Sequence, residues 1–71
     1  MKPTDDELRN RFFYHKPDET AAKAHARVSE TTFELACELR DLCPEGRNLS
    51  LALTHLEEVR MRANAAIACD R

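Results

Sequence analysis

The sequence has little of the material that builds a sheet, a membrane span or an exported protein. Its 71 residues include one glycine, three prolines and no tryptophan, and no segment alternates apolar and polar residues with the period of two that strands require. No apolar run approaches the ~20 residues that cross a bilayer, and the first residues lack the layout of a signal peptide. We therefore expect a soluble, all-α protein that has no membrane partner and remains in the cytoplasm.

The few cysteines and histidines do not suggest a disulfide bond or a metal site that would stabilise the fold. The cysteines are odd in number and contain no CxxC pair, so we expect reduced thiols, and the histidines lack the paired spacings of a zinc site, so we expect no metal. These residues are Cys37, Cys43, Cys69, His15, His25 and His55. A single core of this size rarely supplies more than about 3–5 kcal/mol. We therefore expect the chain to be stabilised by assembly into a homo-oligomer.

The sequence also lacks an excess of positive charge. Its formal net charge is -2, which gives no general attraction to polyanions, so we expect no polymeric nucleic acid as a partner. A small DNA-binding regulator is disfavoured further because the last predicted helix carries only Arg60, Arg62 and the terminal Arg71. Any anionic ligand must be met by a local basic cluster.

A catalytic site is equally hard to find. His55 and Glu58 lie one turn apart on a predicted helix, but they match no zinc-protease motif and no third residue orients them. There is no P-loop, no paired-carboxylate cleft and no nucleophile elbow. We expect no catalytic residues and no cofactor, so the protein is predicted not to be an enzyme.

Local signals predict where the helices begin and end. Thr4 and Glu7 form a capping box, in which each side chain satisfies a backbone N–H that the first turn leaves unpaired. Asp18 or Thr20 caps the next helix, and Pro44 interrupts the helical pattern after it. The elements predicted for a single domain over 1–71 are a short helix at about 4–13, a long helix at about 18–43, a turn at 44–48 and a long helix at about 48–69.

Apolar residues on the two long helices predict an antiparallel hairpin. On the last helix they recur at alternating steps of three and four, and the preceding helix has a matching set. The two sets are Leu49, Ala52, Leu53, Leu56, Val59, Ala63, Ala66 and Ile67 on the last helix, and Val28, Leu35, Leu39 and Leu42 on the preceding one. Phe33, Ala36 and Leu51 lie off this seam. We expect the apolar stripe that they leave exposed to be a contact surface.

The most aromatic and the most basic parts of the chain coincide. Phe12, Phe13 and Tyr14 are consecutive, with basic residues on both sides. Aromatic faces stack on nucleobases, and basic side chains meet phosphate oxygens with charge-assisted hydrogen bonds, so the segment suits a nucleotide with several phosphates. The candidate ligand-binding residues of this segment are Arg11, Tyr14, His15 and Lys16. Alternatively, Phe12 and Phe13 close the open end of the hairpin while the basic side chains stay in solvent.

Two segments carry a family resemblance. They are RFFYHKP at residues 11–17 and CPEGRNLSLALTHLEEVRMRANAAIA at residues 43–68. Together they resemble the hairpin domain shared by bacteriophage anti-CBASS and Thoeris anti-defence cyclic-nucleotide sponges, and the likeness extends from about Glu7 to Cys69. The resemblance implies a homohexamer that binds cyclic dinucleotides between two protomers, and in some members cyclic trinucleotides or cyclic ADP-ribose isomers. Such a protein would sequester the signal without cleaving it, in the cytoplasm of the infected bacterial host.

The resemblance also implies roles for individual residues. In the sponges a tyrosine after the short helix stacks on a base, and Tyr14 falls at that position. A lysine on the first long helix meets a phosphate, but here the position holds Ser29, whose hydroxyl offers a neutral hydrogen bond in place of a charge-assisted one. Arg27 and Lys23 are candidates to compensate, and Thr31 is a candidate for lining a separate pocket.

A second function fits the same features. A helical hairpin with an exposed apolar stripe can also offer a groove or a helix face to a host protein, with the basic segment assisting docking. This protein–protein interaction module predicts no nucleotide binding and a partner that depends on the stripe.

Overall fold

The computed structural model describes residues 1–70 and contains three helices. They are α1 at Asp5–Phe12, α2 at Glu19–Leu42 and α3 at Arg47–Cys69. No strand occurs in the part of the chain that the structure describes, so the all-α prediction is confirmed. None of the helices in these 70 residues is long and apolar enough to cross a membrane.

Two side-chain caps set the starts of the first two helices. The Thr4 hydroxyl accepts a hydrogen bond from the Glu7 amide at 3.1 Å, and the Glu7 carboxylate accepts one from the Thr4 amide at 3.3 Å. The predicted capping box is therefore present. The Asp18 carboxylate accepts from the Ala21 amide at 2.7 Å, so Asp18 rather than Thr20 caps α2. Each capping side chain accepts a hydrogen bond from a first-turn N–H that the helix itself leaves unpaired.

The ends of α1 and α2 bring the chain back into extended conformation. Phe13 and Cys43 follow the two helices with extended backbone angles, and each donates its amide to a carbonyl four residues earlier. Pro44 comes directly after Cys43 and disfavours the helical region for it. The last helix then begins at Arg47 without a side-chain cap.

Contacts between the helices are made mainly by half-buried side chains. Helix α3 contacts both α2 and α1. Between α2 and α3, His25 Nδ1 lies 2.8 Å from Asn64 Oδ1. The half-buried apolar residues of these two helices include Val28, Leu39, Leu49, Leu53, Leu56 and Ile67. Among residues 1–70, Ala21 is the one buried residue, with 3% of its surface exposed.

The protomer is a single thin layer. It measures 46 × 33 × 15 Å and its radius of gyration is 15.4 Å, whereas a compact domain of this length has about 11 Å. Its accessible surface is 6224 Å², whereas a compact monomer of this mass exposes about 4,500 Å². Large apolar side chains account for part of the excess, namely Leu8, Phe12, Phe13, Tyr14, Phe33, Leu35, Leu42, Leu51, Val59 and Met61. Stable domains usually have two packed layers, whereas this chain forms one.

Candidate functional site

The aromatic segment Phe12–Tyr14, at the end of α1 and directly after it, has its rings exposed to solvent. Tyr14 is 85% exposed, Phe12 78% and Phe13 67%. Neither phenylalanine closes an end of the protomer, so that alternative for Phe12 and Phe13 is wrong for the protomer by itself. Exposed rings next to basic side chains are instead available to stack on a planar partner.

A small polar network fixes this segment against the end of α3. The Asn10 carbonyl lies 2.6 Å from His15 Nε2 and also accepts a hydrogen bond from Cys69 Sγ at 3.3 Å. The Asn10 side chain donates in return to the Cys69 carbonyl at 3.0 Å. Because a carbonyl oxygen only accepts, His15 carries its proton on Nε2 in this contact. Tyr14 therefore lies in the chain between two residues that these hydrogen bonds fix in place, Asn10 and His15.

The predicted basic residues next to Tyr14 face a groove at the start of α2. Its volume is about 340 Å³. The lining residues are His15, Lys16, Pro17, Asp18, Ala21, His25, Ile67 and Ala68. Lys16 is exposed and His15 is half-buried, so the ammonium is the better placed of the two to meet an anion from solution.

Ser29 lines a second groove, between α2 and α3. Its volume is about 310 Å³. The lining residues are Ser29, Thr32, Phe33, Ala36, Leu53, Leu56, Glu57 and Arg60. Ser29 lies four residues after His25, about 6 Å further along the helix, so this groove follows the first one along α2. The structure places Arg60, a cation that the sequence reasoning missed, in the groove that Ser29 lines.

The two candidates for replacing the family lysine each form an exposed ion pair on α2. Arg27 lies 3.8 Å from the Glu30 carboxylate, and Lys23 lies 3.3 Å from that of Glu19. Arg27 is also about 200° around the helix from Ser29, because each residue turns the helix by about 100°. Thr31 follows Arg27 by four residues, slightly more than one helical turn, so these two residues lie on the same face of α2. The structure therefore does not bring Arg27 or Thr31 together with Ser29 in one protomer.

Arg11 faces a third groove, on another side of α3. This groove has a volume of about 570 Å³. It is lined by Arg11, Phe12, Arg62, Ala65, Ala66, Cys69 and Asp70. Arg62, like Arg60, was counted among the arginines of the last helix but was not predicted to take part in binding. The periodicity of α3 could have separated the two, since residues two apart lie on different faces.

Other chemistry-bearing residues do not converge. His55 Nδ1 lies 3.7 Å from the Glu58 carboxylate, but both side chains are largely exposed. Cys37, Cys43 and Cys69 are free thiols. Within residues 1–70, no group of three histidine, cysteine or acidic side chains could hold a metal ion.

Comparison with known proteins identifies the family. The family model described as "Acb2/Tad1, hairpin domain" matches residues 4–68. No curated protein and no solved structure matches the chain. The match includes all of α1 and α2 and all but the last residue of α3. The chain therefore belongs to the Acb2/Tad1 hairpin-domain family, the family of phage anti-CBASS and anti-Thoeris sponges.

Proposed function

We propose that this protein is a phage immune-evasion sponge that binds cyclic oligonucleotide second messengers and sequesters them without cleavage. The ligands are cyclic dinucleotides, with cyclic trinucleotides and cyclic ADP-ribose isomers as further candidates. The protein acts in the cytoplasm of the infected bacterial host, where removal of the messenger blocks CBASS or Thoeris-type signalling. The observation that carries the proposal is the family match over residues 4–68.

The proposed assembly is a homohexamer of antiparallel two-helix hairpins. Contacts that run in opposite directions along the two long helices support the hairpin: His25 meets Asn64, and Ala36 further along α2 lines a groove with Leu53 nearer the start of α3. The accessible surface exceeds that of a compact monomer by about 1,700 Å². This is about two standard interfaces of ~800 Å² per partner, which favours an assembly in which each protomer has more than one neighbour.

The proposed ligand site combines the exposed tyrosine with side chains from more than one groove. A cyclic dinucleotide has two bases and two phosphates, and an isologous pair of protomers supplies two copies of each contact. Tyr14 stacks on a base, and the hydroxyl of Ser29 and the ammonium of Lys16 meet phosphate oxygens. The remaining members of the proposed site are Arg11, His15, Arg27 and Thr31. Because the structure divides these residues among different faces, different protomers supply them.

A calorimetric and thermal-shift panel tests the proposal. The purified protein is mixed with cyclic dinucleotides, cyclic trinucleotides and cyclic ADP-ribose isomers. A ligand at 100 times its dissociation constant adds about 2.7 kcal/mol to the folded state. Tyr14→Ala should remove that gain because it removes the stacking ring. Phe13→Ala is the matched control, because Phe13 is the adjacent ring and is also largely exposed, and this variant should keep the gain. If no compound of the panel binds or raises the unfolding midpoint, the proposed sponge function is contradicted.

Recovery of the ligand separates sequestration from catalysis. After incubation and heat denaturation, mass spectrometry should return the cyclic nucleotide intact and in stoichiometric amount. A linear nucleotide in the supernatant would instead identify a hydrolase. Light scattering on the same sample tests the assembly, whose expected mass is six times the protomer mass of 8.1 kDa.

The second candidate function is the protein–protein interaction module. It is favoured by the exposed apolar side chains on α2 and α3, notably Phe33, Val59 and Met61. This candidate predicts that no ligand of the panel raises the thermal unfolding midpoint of the protein. It also predicts that a host protein co-purifies in fixed stoichiometry. Val59→Asp should then abolish that association while Tyr14→Ala leaves it unchanged.

A further inference from the structure

Two arginines from different helices line one groove. Arg11 from the last turn of α1 and Arg62 from α3 both belong to the 570 Å³ groove. Both side chains are exposed, and no ion pair in the described part of the chain involves either of them. By contrast, an acidic partner lies within 4 Å of four other cations, namely Arg9, Lys23, Arg27 and Arg40.

The groove also has an aromatic wall and room at its base. Phe12 lines it with 78% of its surface exposed. Ala65 and Ala66 lie on the α3 side, and their methyl groups leave space for a ligand to approach the helix. The cavity volume falls within the roughly 300–1,000 Å³ of small-molecule sites. A base can stack on the ring while the arginines meet the attached phosphate.

The charges of the groove favour an anion. Two guanidinium groups that face one space repel each other, and a phosphate between them replaces that repulsion with attraction to both. Asp70 is the acidic residue of the lining, but it forms no ion pair with either arginine. The protein has a net charge of -2, yet two cations and one acidic residue line this groove.

We propose that Arg11 and Arg62 form a two-arginine clamp, with Phe12 as its stacking wall, that binds the phosphate and base of one nucleotide unit. The inference rests on the proposed function, because it names where such a unit of the cyclic nucleotide is held. It adds Arg62 to the ligand-binding residues and gives Arg11 and Phe12 defined roles. The planar fork of arginine suits phosphate through paired hydrogen bonds.

Arg47 supplies a matched control. It is the first residue of α3 and lines none of the three grooves described above. Arg47→Gln and Arg62→Gln change the net charge equally, and both alter exposed positions of α3. Only the second variant changes the clamp.

The first experiment uses simple probes and does not require a cyclic messenger. Adenosine monophosphate, adenosine and inorganic phosphate are titrated into the protein and followed by the NMR signals of the Arg11 and Arg62 side chains and the Phe12 ring. Adenosine monophosphate should bind more tightly than adenosine alone or inorganic phosphate alone. Arg62→Gln should weaken it roughly 10- to 100-fold, as expected for one charge-assisted hydrogen bond, and Arg47→Gln should leave it unchanged. Equal weakening by both variants, or no shift of these signals in the wild type, overturns the clamp.

The second experiment separates this inference from the proposed function. A cyclic nucleotide that binds the wild type is titrated into both glutamine variants, with light scattering on each. A selective loss of affinity in Arg62→Gln, with unchanged oligomer mass, supports the clamp. Full affinity in Arg62→Gln overturns the clamp and leaves the sponge intact. A changed mass in Arg62→Gln also overturns it, because the arginine would then belong to an interface between protomers.

Discussion

The α2–α3 seam and the end of the molecule around α1 are held together in different ways. Along the seam, α2 and α3 contact each other and most of the apolar side chains predicted for it are half-buried. Four of the predicted seam residues are instead exposed, namely Leu35, Leu42, Val59 and Ala66. Around α1, the apolar rings are exposed, and the contacts to α3 include the hydrogen bonds of Asn10 with Cys69. Burial scales with area and tolerates sliding, whereas hydrogen bonds fix position. The comparison indicates that the seam provides stability and that the α1 end provides placement of Tyr14.

The largest effect on stability should come from a larger side chain at Ala21, which lies where the two regions meet. Ala21 is 3% exposed and lines the groove shared with His15 and Ile67. The longer side chain of Ala21→Leu must displace the neighbours that bury Ala21 or place apolar atoms in the polar groove, so the free energy of unfolding should fall by about 1–3 kcal/mol. Urea denaturation measures the change. Ala22→Leu is the control, because Ala22 is exposed and should change stability by no more than about 0.5 kcal/mol.

A smaller and more local effect should follow loss of the Asn10 amide. Asn10→Ala removes the 3.0 Å hydrogen bond to the Cys69 carbonyl and should cost about 1 kcal/mol. Hydrogen exchange should accelerate in α1 and at Tyr14, while amides in the middle of α2 and α3 keep their protection. Uniform acceleration throughout the chain would mean that the two regions are not separate units. Asn48→Ala, at the exposed start of α3, is the control.

The smallest effect should come from a surface ion pair. Lys23 and Glu19 lie 3.3 Å apart with both side chains largely exposed. Solvent and salt screen such a pair, so Glu19→Gln should lower the free energy of unfolding by about 0.3–0.5 kcal/mol and less at high salt. Thermal unfolding at two salt concentrations measures it. A loss above that of Asn10→Ala would contradict the view that half-buried polar contacts matter more here than exposed charges.

Local sequence rules were sufficient for the helices. The absence of period-two segments and the periodic apolar residues of the last helix predicted an all-helical chain, and the structure confirms it. The Thr4 and Glu7 capping box was predicted because its two hydrogen bonds are made within one turn. The alternative caps of α2, Asp18 and Thr20, could not be separated by sequence, since both residue types are good caps.

The distribution of the basic residues could not be predicted from the sequence. Arg11, His15 and Lys16 are close in the chain, yet Arg11 lines one groove and the other two line another. Their placement depends on the contact between Asn10 and Cys69, which are 59 residues apart. Arg60 and Arg62 differ from these residues, because the helical period alone places them on different faces of α3. Which groove each one lines depends on the packing of α3. The hexamer and the individual ligand contacts stay predictions.

The 15 Å thickness of the protomer has a consequence for how the protein responds to dilution. In the proposed homohexamer the apolar surface of this single layer is covered by other copies, so folding and association would be one equilibrium. The midpoint of unfolding should then rise with protein concentration, unlike that of a monomeric domain. In a cell that has just begun to make the protein, capacity to bind ligand would increase more steeply than the number of chains, because each early chain lacks the partners that complete it.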